Sequence, residues 1–201
     1  MVNDSASDSD KAAKNEVRQV MRRQLKQVSS QQRQEVSTEA ARQLAATPEF
    51  IAARTIMIFL SMHDEIDTSL VALKAWQSAK VVVVPKMDWD NSRIIPMEIS
   101  SFQRSEFKTT APGFFEPVAG SLVSLKEIEL VLVPGLAFSL NGHRLGRGGG
   151  VYDRFLGQAD LRAITCGYAM ETQVLETLPV LDHDVPLSML VTNRNVRRFS
   201  H

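Results

Sequence analysis

A glycine-dense loop, GRGGG at residues 146–150, constrains the fold of this chain more than any other feature. A short unbroken apolar run at residues 130–133 precedes it, as is typical of a strand covered on both faces of a sheet. Glycines can adopt positive φ, so the backbone of the loop can curl and direct several N–H groups towards one point. Arg144 and Arg147 add planar, permanently charged donors that suit phosphate oxygens. The segment therefore predicts an anion-binding site.

A helix is predicted to begin near Val151, where its free N–H groups and positive dipole end would strengthen the same site. The dinucleotide-binding fingerprint does not fit, because it needs a glycine where Val151 stands. A P-loop does not fit either, because it needs Lys-Ser or Lys-Thr after its last glycine. The alternative is a tight strand-to-helix turn with solvated arginines. Four glycines in five residues carry a folding cost that a simple turn could avoid, which favours the anion site.

The composition is that of one charge-balanced globular domain. The 201 residues are 44% hydrophobic, which is enough to bury one substantial core, so we expect a single domain spanning residues 1–201. Lysine plus arginine and aspartate plus glutamate both number 23, so no net charge recruits nucleic acid or an anionic membrane. Any anion recognition must therefore be local.

Cysteine content and the amino terminus predict a cytoplasmic location. Cys166 is the only cysteine, which excludes an intramolecular disulfide and a cysteine-built metal site and favours a reducing compartment. Residues 1–10 are polar, lack the apolar core of a signal peptide and are predicted to form a disordered tail. No run approaches the roughly 18 apolar residues of a membrane span. We expect a monomer without nucleic-acid or membrane partners.

Apolar runs alternate with segments of helical periodicity along the chain. Helices are predicted at 14–28, 31–46 and 69–77, and strands at 55–60, 80–84, 94–98, 130–133, 163–167 and 189–192. This alternation predicts a three-layer α/β/α, Rossmann-like fold with a mostly parallel sheet and helices on both faces. Ligands on such sheets gather at the carboxyl ends of the strands. Residues 100–124 show neither pattern and are predicted to form a long loop.

The first predicted helix carries a cation inside its apolar stripe. At about 100° per residue, Lys14 falls on the same face as Met21 and Leu25, with Arg18 close by, whereas Arg23 lies on the opposite face. A cation that only interacts with solvent would be better placed beside Arg23. Either Lys14 faces a binding site at the edge of the core, or its stem crosses the core edge and its ammonium reaches solvent.

Polar side chains follow the predicted strand at residues 55–60, where an α/β protein places its site. Asp64, Glu65 and Asp67 are so close that they would raise one another's pKa values unless a cation shares the space. The alternative is a solvated loop in which Asp67 or Thr68 caps the next helix, which we prefer for those two residues.

Asp153 and Asp184 are the candidate metal ligands. Asp153 would lie in the first turn of the helix after the glycine loop, where an acid is favourable from the helix dipole alone. A carboxylate beside bound phosphates is also where Mg²⁺ is usually held. Asp184 has the alternative interpretation of an exposed turn acid.

The central motif, GHRLGRGGGVYDRFL after VPGLAF, resembles the signature of the 5-formyltetrahydrofolate cyclo-ligases, also called 5,10-methenyltetrahydrofolate synthetases. Five further segments fall in the family's order and spacing, so the resemblance covers nearly the whole chain. They are KNEVRQVMRRQL, FLSMHDEIDT, VVPKM, GFFEP and LDHDVPLSMLVT.

The resemblance implies a reaction and a set of site residues. The family uses ATP and Mg²⁺ to phosphorylate the formyl oxygen of 5-formyltetrahydrofolate, so that N10 can attack and ADP, phosphate and 5,10-methenyltetrahydrofolate form. Arg147 and Tyr152 are implied to be catalytic, and Asp153 and Asp184 to hold Mg²⁺. Leu60, Glu65 and Arg147 are implied folate contacts. His63 is implied to be peripheral, because relatives have other polar residues at its position. The implied ATP contacts are Lys14, Arg18, Arg144, Leu145, Gly146, Arg147, Gly148, Gly149, Gly150, Val151 and Tyr152.

Two departures from the family pattern concern the walls of the expected site. Val151 replaces an aromatic residue that is usual before Tyr152, so one wall loses a ring. Phe115 replaces a proline that is common before Glu116, which alters the loop expected near the pterin.

Two other classes of function remain open from the residues alone. One is another α/β enzyme that handles phosphates without ATP, such as a sugar-phosphate isomerase or deaminase. The other is a non-catalytic nucleotide- or nucleic-acid-binding module, supported only by Arg194, Arg197 and Arg198 near the carboxyl terminus. A solvated terminus is the simpler interpretation of those arginines.

Overall fold

The computed structural model describes residues 4–111 and 114–200, and its main element is a seven-stranded sheet whose five inner strands are parallel. The two edge strands run antiparallel to their neighbours. In spatial order the strands are β12 (Val196–Arg198), β11 (Met189–Val191), β9 (Ile164–Tyr168), β6 (Leu130–Val133), β1 (Thr55–Met57), β2 (Val81–Asp88) and β3 (Arg93–Ile99). The predicted α/β fold with a mostly parallel sheet is confirmed.

Helices cover both faces of this sheet. They are α1 (Asp4–Gln27), α2 (Ser30–Ala45), α3 (Pro48–Ala52), α4 (Ser69–Gln77) and α5 (Val151–Leu156). Alternate strand residues point to opposite faces. Ile56 and Leu130 pack in one apolar cluster with side chains of α1, α2 and α4. Met57 and Val131 pack in a second cluster with Phe155 of α5. The predicted layers are present, although the α-helix that packs on the second face among the described residues, α5, has only six residues.

Two smaller sheets lie outside the central one. Strands β10 (Val174–Leu175), β7 (Ala137–Ser139) and β8 (Arg144–Leu145) form a three-stranded sheet. Its middle strand follows β6, and β8 leads directly into the glycine loop. This sheet was not predicted, because strands of two or three residues are too short to show an alternating pattern.

The prediction of a long loop at residues 100–124 is wrong. This segment contains two antiparallel strands, β4 (Phe107–Ala111) and β5 (Phe114–Pro117), and residues 112–113 lie outside the described part of the chain. Short 3₁₀ helices at Arg104–Glu106 and beyond β5 at Leu125–Glu127 are also present. The strands are short and interrupted by an irregularity after Thr109, which explains why no clear periodicity shows in the sequence.

Helix α1 begins ten residues earlier than predicted, so residues 4–10 of the predicted disordered tail are helical. Residues 1–3 of that tail lie outside the described part. The early start is compatible with the sequence, because Lys11, Ala12 and Ala13 are strong helix formers and extend the helix towards the amino terminus from the predicted segment 14–28. Helix α4 has the predicted bounds, whereas β1 is shorter than predicted and β3 is an antiparallel edge strand.

None of the helices in residues 4–111 and 114–200 combines the length and the hydropathy needed to span a membrane.

Candidate functional site

A cavity of about 590 Å³ lies at the carboxyl ends of β1 and β6, where the sheet topology predicts a ligand site. Its walls come from α1, the segments after β1 and β6, the strand β2, the glycine loop and the loop before β11. Every residue assigned from the sequence to nucleotide, folate or metal lines it: Lys14, Arg18, Leu60, Glu65, Arg144, Leu145, Gly146, Arg147, Gly148, Gly149, Gly150, Val151, Tyr152, Asp153 and Asp184. Segments far apart in sequence thus converge on one place.

The glycine loop uses the backbone freedom that the sequence predicted. Gly148 has φ of 114° and Gly150 has φ of 62°, values that side-chain-bearing residues rarely adopt. Helix α5 begins directly after Gly150, as predicted, and Asp153 lies in its first turn. From α1, Arg18 Nε donates to the Gly146 carbonyl at 3.0 Å, so the first helix is tied directly to the loop.

Lys14 is directed into the cavity and not towards solvent. Its side chain is buried and forms an ion pair with Asp184. The Asp184 carboxylate also accepts the Leu181 N–H at 2.7 Å. Burial opposes the charge of Asp184, but the hydrogen bond from Lys14 and the one from Leu181 outweigh it and lower the pKa of Asp184. Asp184 is therefore an ionised partner of Lys14 and not a free turn acid.

Arg144 and Asp153 form a second ion pair. Arg144 Nη2 donates to Asp153 Oδ1 at 3.0 Å, and Nη1 donates to the Val185 carbonyl at 3.1 Å. The Arg144 side chain is only 2% exposed. Burial lowers the pKa of Arg144, and the charge of Asp153 offsets part of that effect. An arginine in this position stays charged, so it holds a permanent cation at the edge of the cavity.

Arg147 occupies the space between the carboxylates of the segment after β1. Its Nη2 donates to Asp64 Oδ1 at 2.6 Å and to Glu65 Oε1 at 3.1 Å, and its Nε donates to Glu65 at 3.1 Å. Burial opposes the charge of Asp64, yet the hydrogen bond and charge of Arg147 prevail and lower the pKa of Asp64. Burial dominates at Glu65 and raises its pKa despite Arg147. The sequence predicted that Asp64 and Glu65 share their space with a cation, and that cation is Arg147 of the glycine loop.

Tyr152 contributes to the cavity wall beside the glycine loop. Its hydroxyl is buried and has no hydrogen-bond partner among the described residues. Burial, with a smaller effect of the charge of Glu65, raises the pKa of Tyr152 far above its ordinary value, and the charge of Arg144 opposes that shift only in part. The hydroxyl is thus protonated at neutral pH and keeps a proton that it can donate in a hydrogen bond.

Another part of the cavity wall is apolar and is called the apolar end. It is lined by Leu60, Met62, Pro85, Met87, Trp89, Ile94 and Phe115. Trp89, in the turn between β2 and β3, is 53% exposed, and its Nε1 donates to the buried Glu116 of β5 at 3.0 Å. Sequence reasoning missed Trp89, because the surrounding DWDN indicates only a turn.

Several polar residues of the sequence analysis have structural roles. Asp67 accepts the Ser69 N–H at 2.8 Å at the start of α4, while the Thr68 hydroxyl donates to the Phe59 carbonyl at 2.6 Å. His63 is exposed and does not line the cavity.

Two of the three arginines near the carboxyl terminus form ion pairs within the fold. Arg197 pairs with Glu171 at 2.6 Å and Arg198 with Glu49 at 2.6 Å, and residues 196–198 form β12. Arg194 is exposed.

Asp153 and Asp184 are compatible with a metal that arrives together with phosphate. Within residues 4–111 and 114–200, no group of three or more His, Cys, Asp or Glu side chains could hold a metal by itself. Mg²⁺ in phosphate sites is usually held by one or two carboxylates, with phosphate oxygens and water completing the coordination. Two carboxylates on the wall of one cavity provide a donor set of that kind.

Comparisons with known proteins agree with this geometry. A family model described as the 5-formyltetrahydrofolate cyclo-ligase family matches residues 10–193. The 5-formyltetrahydrofolate cyclo-ligase of Escherichia coli K12 is 30% identical over 161 residues, which cover 79% of this chain and 88% of the relative.

Two solved structures have the same fold. The NMR structure of Aquifex aeolicus 5,10-methenyltetrahydrofolate synthetase is 30% identical and superposes with a TM-score of 0.81 over 94% of this chain and 93% of that chain. A 5,10-methenyltetrahydrofolate synthetase from Mycoplasma pneumoniae, 20% identical, has a TM-score of 0.72 over 90% of this chain and 99% of that chain. The family model, the sequence identity and the shared fold together show that this chain belongs to the 5-formyltetrahydrofolate cyclo-ligase family.

Proposed function

We propose that this chain converts 5-formyltetrahydrofolate to 5,10-methenyltetrahydrofolate in a reaction that consumes ATP, requires Mg²⁺ and releases ADP and phosphate. The observation that carries the proposal is a single cavity with a cationic, glycine-lined end and an apolar end. A nucleoside triphosphate suits the first end and a pterin ring suits the second. A sugar phosphate would leave the apolar end unfilled, and family membership also argues against that alternative.

The proposed reaction activates a poor leaving group. The formamide group is resonance-stabilised, and the formyl oxygen does not leave without prior activation. In the first step the formyl oxygen attacks the γ-phosphorus of ATP and ADP departs. N10 of the folate then attacks the activated formyl carbon. Loss of phosphate and of the N10 proton leaves the methenyl bridge between N5 and N10.

Positioning and charge neutralisation are the main requirements of such a reaction. Lys14, Arg18 and Arg144 are proposed to bind ATP phosphates, together with the N–H groups of the glycine loop. Arg147 is proposed to stabilise charge on the transferring phosphoryl group, where it also adjoins the folate-directed Glu65. The Tyr152 hydroxyl is proposed to donate a hydrogen bond to an oxygen that gains charge, since it has no partner among the described residues.

Asp153 and Asp184 are proposed to hold Mg²⁺ beside the phosphates, where the ion would neutralise phosphate charge. Each carboxylate is paired with a cation that is itself a proposed phosphate ligand. Lys14 and Arg144 can therefore turn to phosphate oxygens while their acids turn to the metal.

The test is the appearance of the methenyl product, followed by its absorbance. We expect purified protein to form it only when 5-formyltetrahydrofolate, ATP and Mg²⁺ are all present, with one phosphate released per product molecule. Product formed without nucleotide, or with ADP in place of ATP, would contradict the phosphorylation mechanism.

A further inference from the structure

Three arginines hold carbonyl groups of the glycine loop. Besides the bond from Arg18 to Gly146, Arg22 Nη2 donates to the Arg147 carbonyl at 3.2 Å and Arg154 Nη2 donates to the Gly149 carbonyl at 3.0 Å. Arg22 lies on α1, one turn beyond Arg18, and Arg154 lies in α5. Helices on either side of the loop thus fix three of its peptide groups.

Fixing a carbonyl also fixes the N–H group of the same peptide unit. The peptide is planar and its C=O and N–H bonds point in opposite directions in the trans form. The N–H groups of Arg147, Gly148 and Gly150 therefore point away from the arginines that hold the preceding carbonyls. None of these three N–H groups donates to an acceptor within residues 4–111 and 114–200. Residues 146–150 line the cavity, so an anion in it would lie beside a loop that has unused N–H donors.

Arg154 makes two further contacts that suit a bracing role. Its Nε donates to the Ser92 carbonyl at 3.2 Å, in the turn between β2 and β3. Its guanidinium also packs against Gly150, where a side-chain Cβ would lie 3.0 Å from Nη1. The planar guanidinium of Arg154 thus connects the glycine loop to the turn between β2 and β3, which contains Trp89. A lysine has a single compact head group and cannot reproduce that geometry.

We propose that Arg22 and Arg154, which do not line the cavity, are positioning residues that orient the peptide groups of the glycine loop towards a phosphate. The inference rests on the proposed function, in which the loop receives the phosphates of ATP. Neither arginine needs to touch the ligand.

The experiment measures the affinity for inorganic tripolyphosphate by calorimetry, which requires no turnover. Arg22→Met and Arg154→Met are compared with Arg23→Met and Arg162→Met. The side chains of the two control arginines are exposed and make no hydrogen bond or ion pair with the described residues. Losing one hydrogen bond that holds the loop should weaken binding by about 5- to 10-fold in each test variant, and the controls should bind like the wild type.

Salt separates positioning from simple charge. Removing an arginine also removes a positive charge, whose distant attraction is largely screened at about 0.5 M salt. A positioning effect persists there, so we expect the test variants to remain weaker than the controls at both low and high salt. In the activity assay, their KM for ATP should rise while kcat and the KM for folate stay near wild-type values.

The outcomes are assigned as follows. The inference is overturned if both test variants bind tripolyphosphate with wild-type affinity, or if their loss of affinity disappears at high salt. It is also overturned if the wild-type protein does not bind tripolyphosphate. Wild-type protein that binds tripolyphosphate but forms no methenyl product overturns the proposed function alone. If Arg154→Met unfolds, Arg22→Met decides, because Arg22 is exposed on the surface of α1.

Discussion

The two ends of the cavity meet a ligand in different ways. At the cationic end Lys14, Arg144 and Arg147 are already paired with carboxylates of the chain itself. At the apolar end Trp89 and Phe115 are about half exposed. A phosphate that enters the first end must displace an acid from its cation, whereas a ring that enters the second end only removes exposed apolar surface from water.

This difference follows from the energetics of buried charge. An unpaired cation at the depth of Lys14 or Arg144 would be strongly unfavourable, so the site is stable without ligand only because acids neutralise it. Asp184 and Asp153, the acids that neutralise Lys14 and Arg144, are also the residues proposed to hold Mg²⁺. When Mg²⁺ and phosphate bind together, the metal can therefore interact with the acids and the phosphate with the cations. We therefore expect substitutions at the cationic end to affect stability as well as activity, and those at the apolar end to affect mainly substrate binding.

Arg147→Met should have the largest effect. It removes the proposed phosphoryl-directed cation and leaves Asp64 and Glu65 without their counter-charge. We expect kcat/KM to fall by about 1,000-fold or more. The free energy of unfolding should fall by about 1–3 kcal/mol, less than for a fully buried pair because Arg147 is partly exposed. Arg162→Met is the matched control, and equal activity of the two variants would show that Arg147 has no role in catalysis.

The pH dependence of the Arg147→Met variant tests the same pair of acids. Without Arg147 the burial effect is opposed only by smaller contributions, such as the backbone hydrogen bond from Met62 to Glu65, so the pKa of Glu65 should rise further and that of Asp64 should rise as well. An acid whose pKa is higher in the folded protein loses stability as pH rises from its unfolded pKa through its folded pKa. The stability deficit against wild type should therefore be larger at about pH 8 than at about pH 5 in thermal or denaturant unfolding. A deficit that does not change with pH would contradict this account.

Lys14→Met should have the next largest effect. The substitution keeps the aliphatic stem and the helix propensity but removes the charge. Losing one phosphate-directed cation from a partly dry site corresponds to about 2–4 kcal/mol, a loss of about 30- to 1,000-fold in catalysis. Asp184 loses its cation, so its pKa should rise towards its ordinary value. Arg23→Met, on the exposed face of the same helix, should change little, and comparable activity of the two variants would exclude Lys14 from the site.

The sequence predicted the positions of the cationic end better than their pairing. Lys14 could be placed at a core edge because helical periodicity is local, and the positive φ of Gly148 and Gly150 follows from glycine chemistry. The Lys14–Asp184 pair joins residues 170 positions apart, and Arg147 reaches 83 positions back to Asp64. Such contacts depend on how the strands are ordered in the sheet, which periodicity does not determine.

The apolar end was predicted less completely. Leu60 was assigned to the site from the family resemblance, and Phe115 was noted only as a departure from the family pattern. Strands β2 and β3 stay paired up to Asp88, beyond the part of β2 that pairs with β1. Trp89, in the turn that follows, therefore lies beside the cavity and bonds to Glu116 of β5. A short antiparallel pair such as β4–β5 is stabilised by these tertiary contacts and leaves only a weak pattern in its own sequence.

Asp153→Asn tests whether the acid at the cationic end holds metal or only Arg144. The amide can still accept the Arg144 hydrogen bond, so the fold should survive with a loss of about 1–3 kcal/mol. The Mg²⁺ concentration for half-maximal activity should rise by about 10- to 100-fold if the carboxylate is a ligand. Asp160→Asn is the control, because Asp160 forms only an exposed pair with Lys126 at 3.4 Å. An unchanged Mg²⁺ requirement at reduced stability would mean that Asp153 serves Arg144 alone.

Trp89→Phe should have the smallest effect and should be confined to the apolar end. The chain has two tryptophans, and the other, Trp76, packs against Phe102 with a ring-centroid distance of 5.5 Å and does not line the cavity. Folate binding should therefore change the fluorescence of Trp89 only, so Trp76→Phe should keep the signal and Trp89→Phe should lose it. Phenylalanine retains a ring but loses the bond to Glu116, so the KM for folate should rise by about 3- to 10-fold while the KM for ATP stays constant. A folate-dependent signal that persists in Trp89→Phe, or a change in the KM for ATP alone, would show that the ring does not bind at the apolar end.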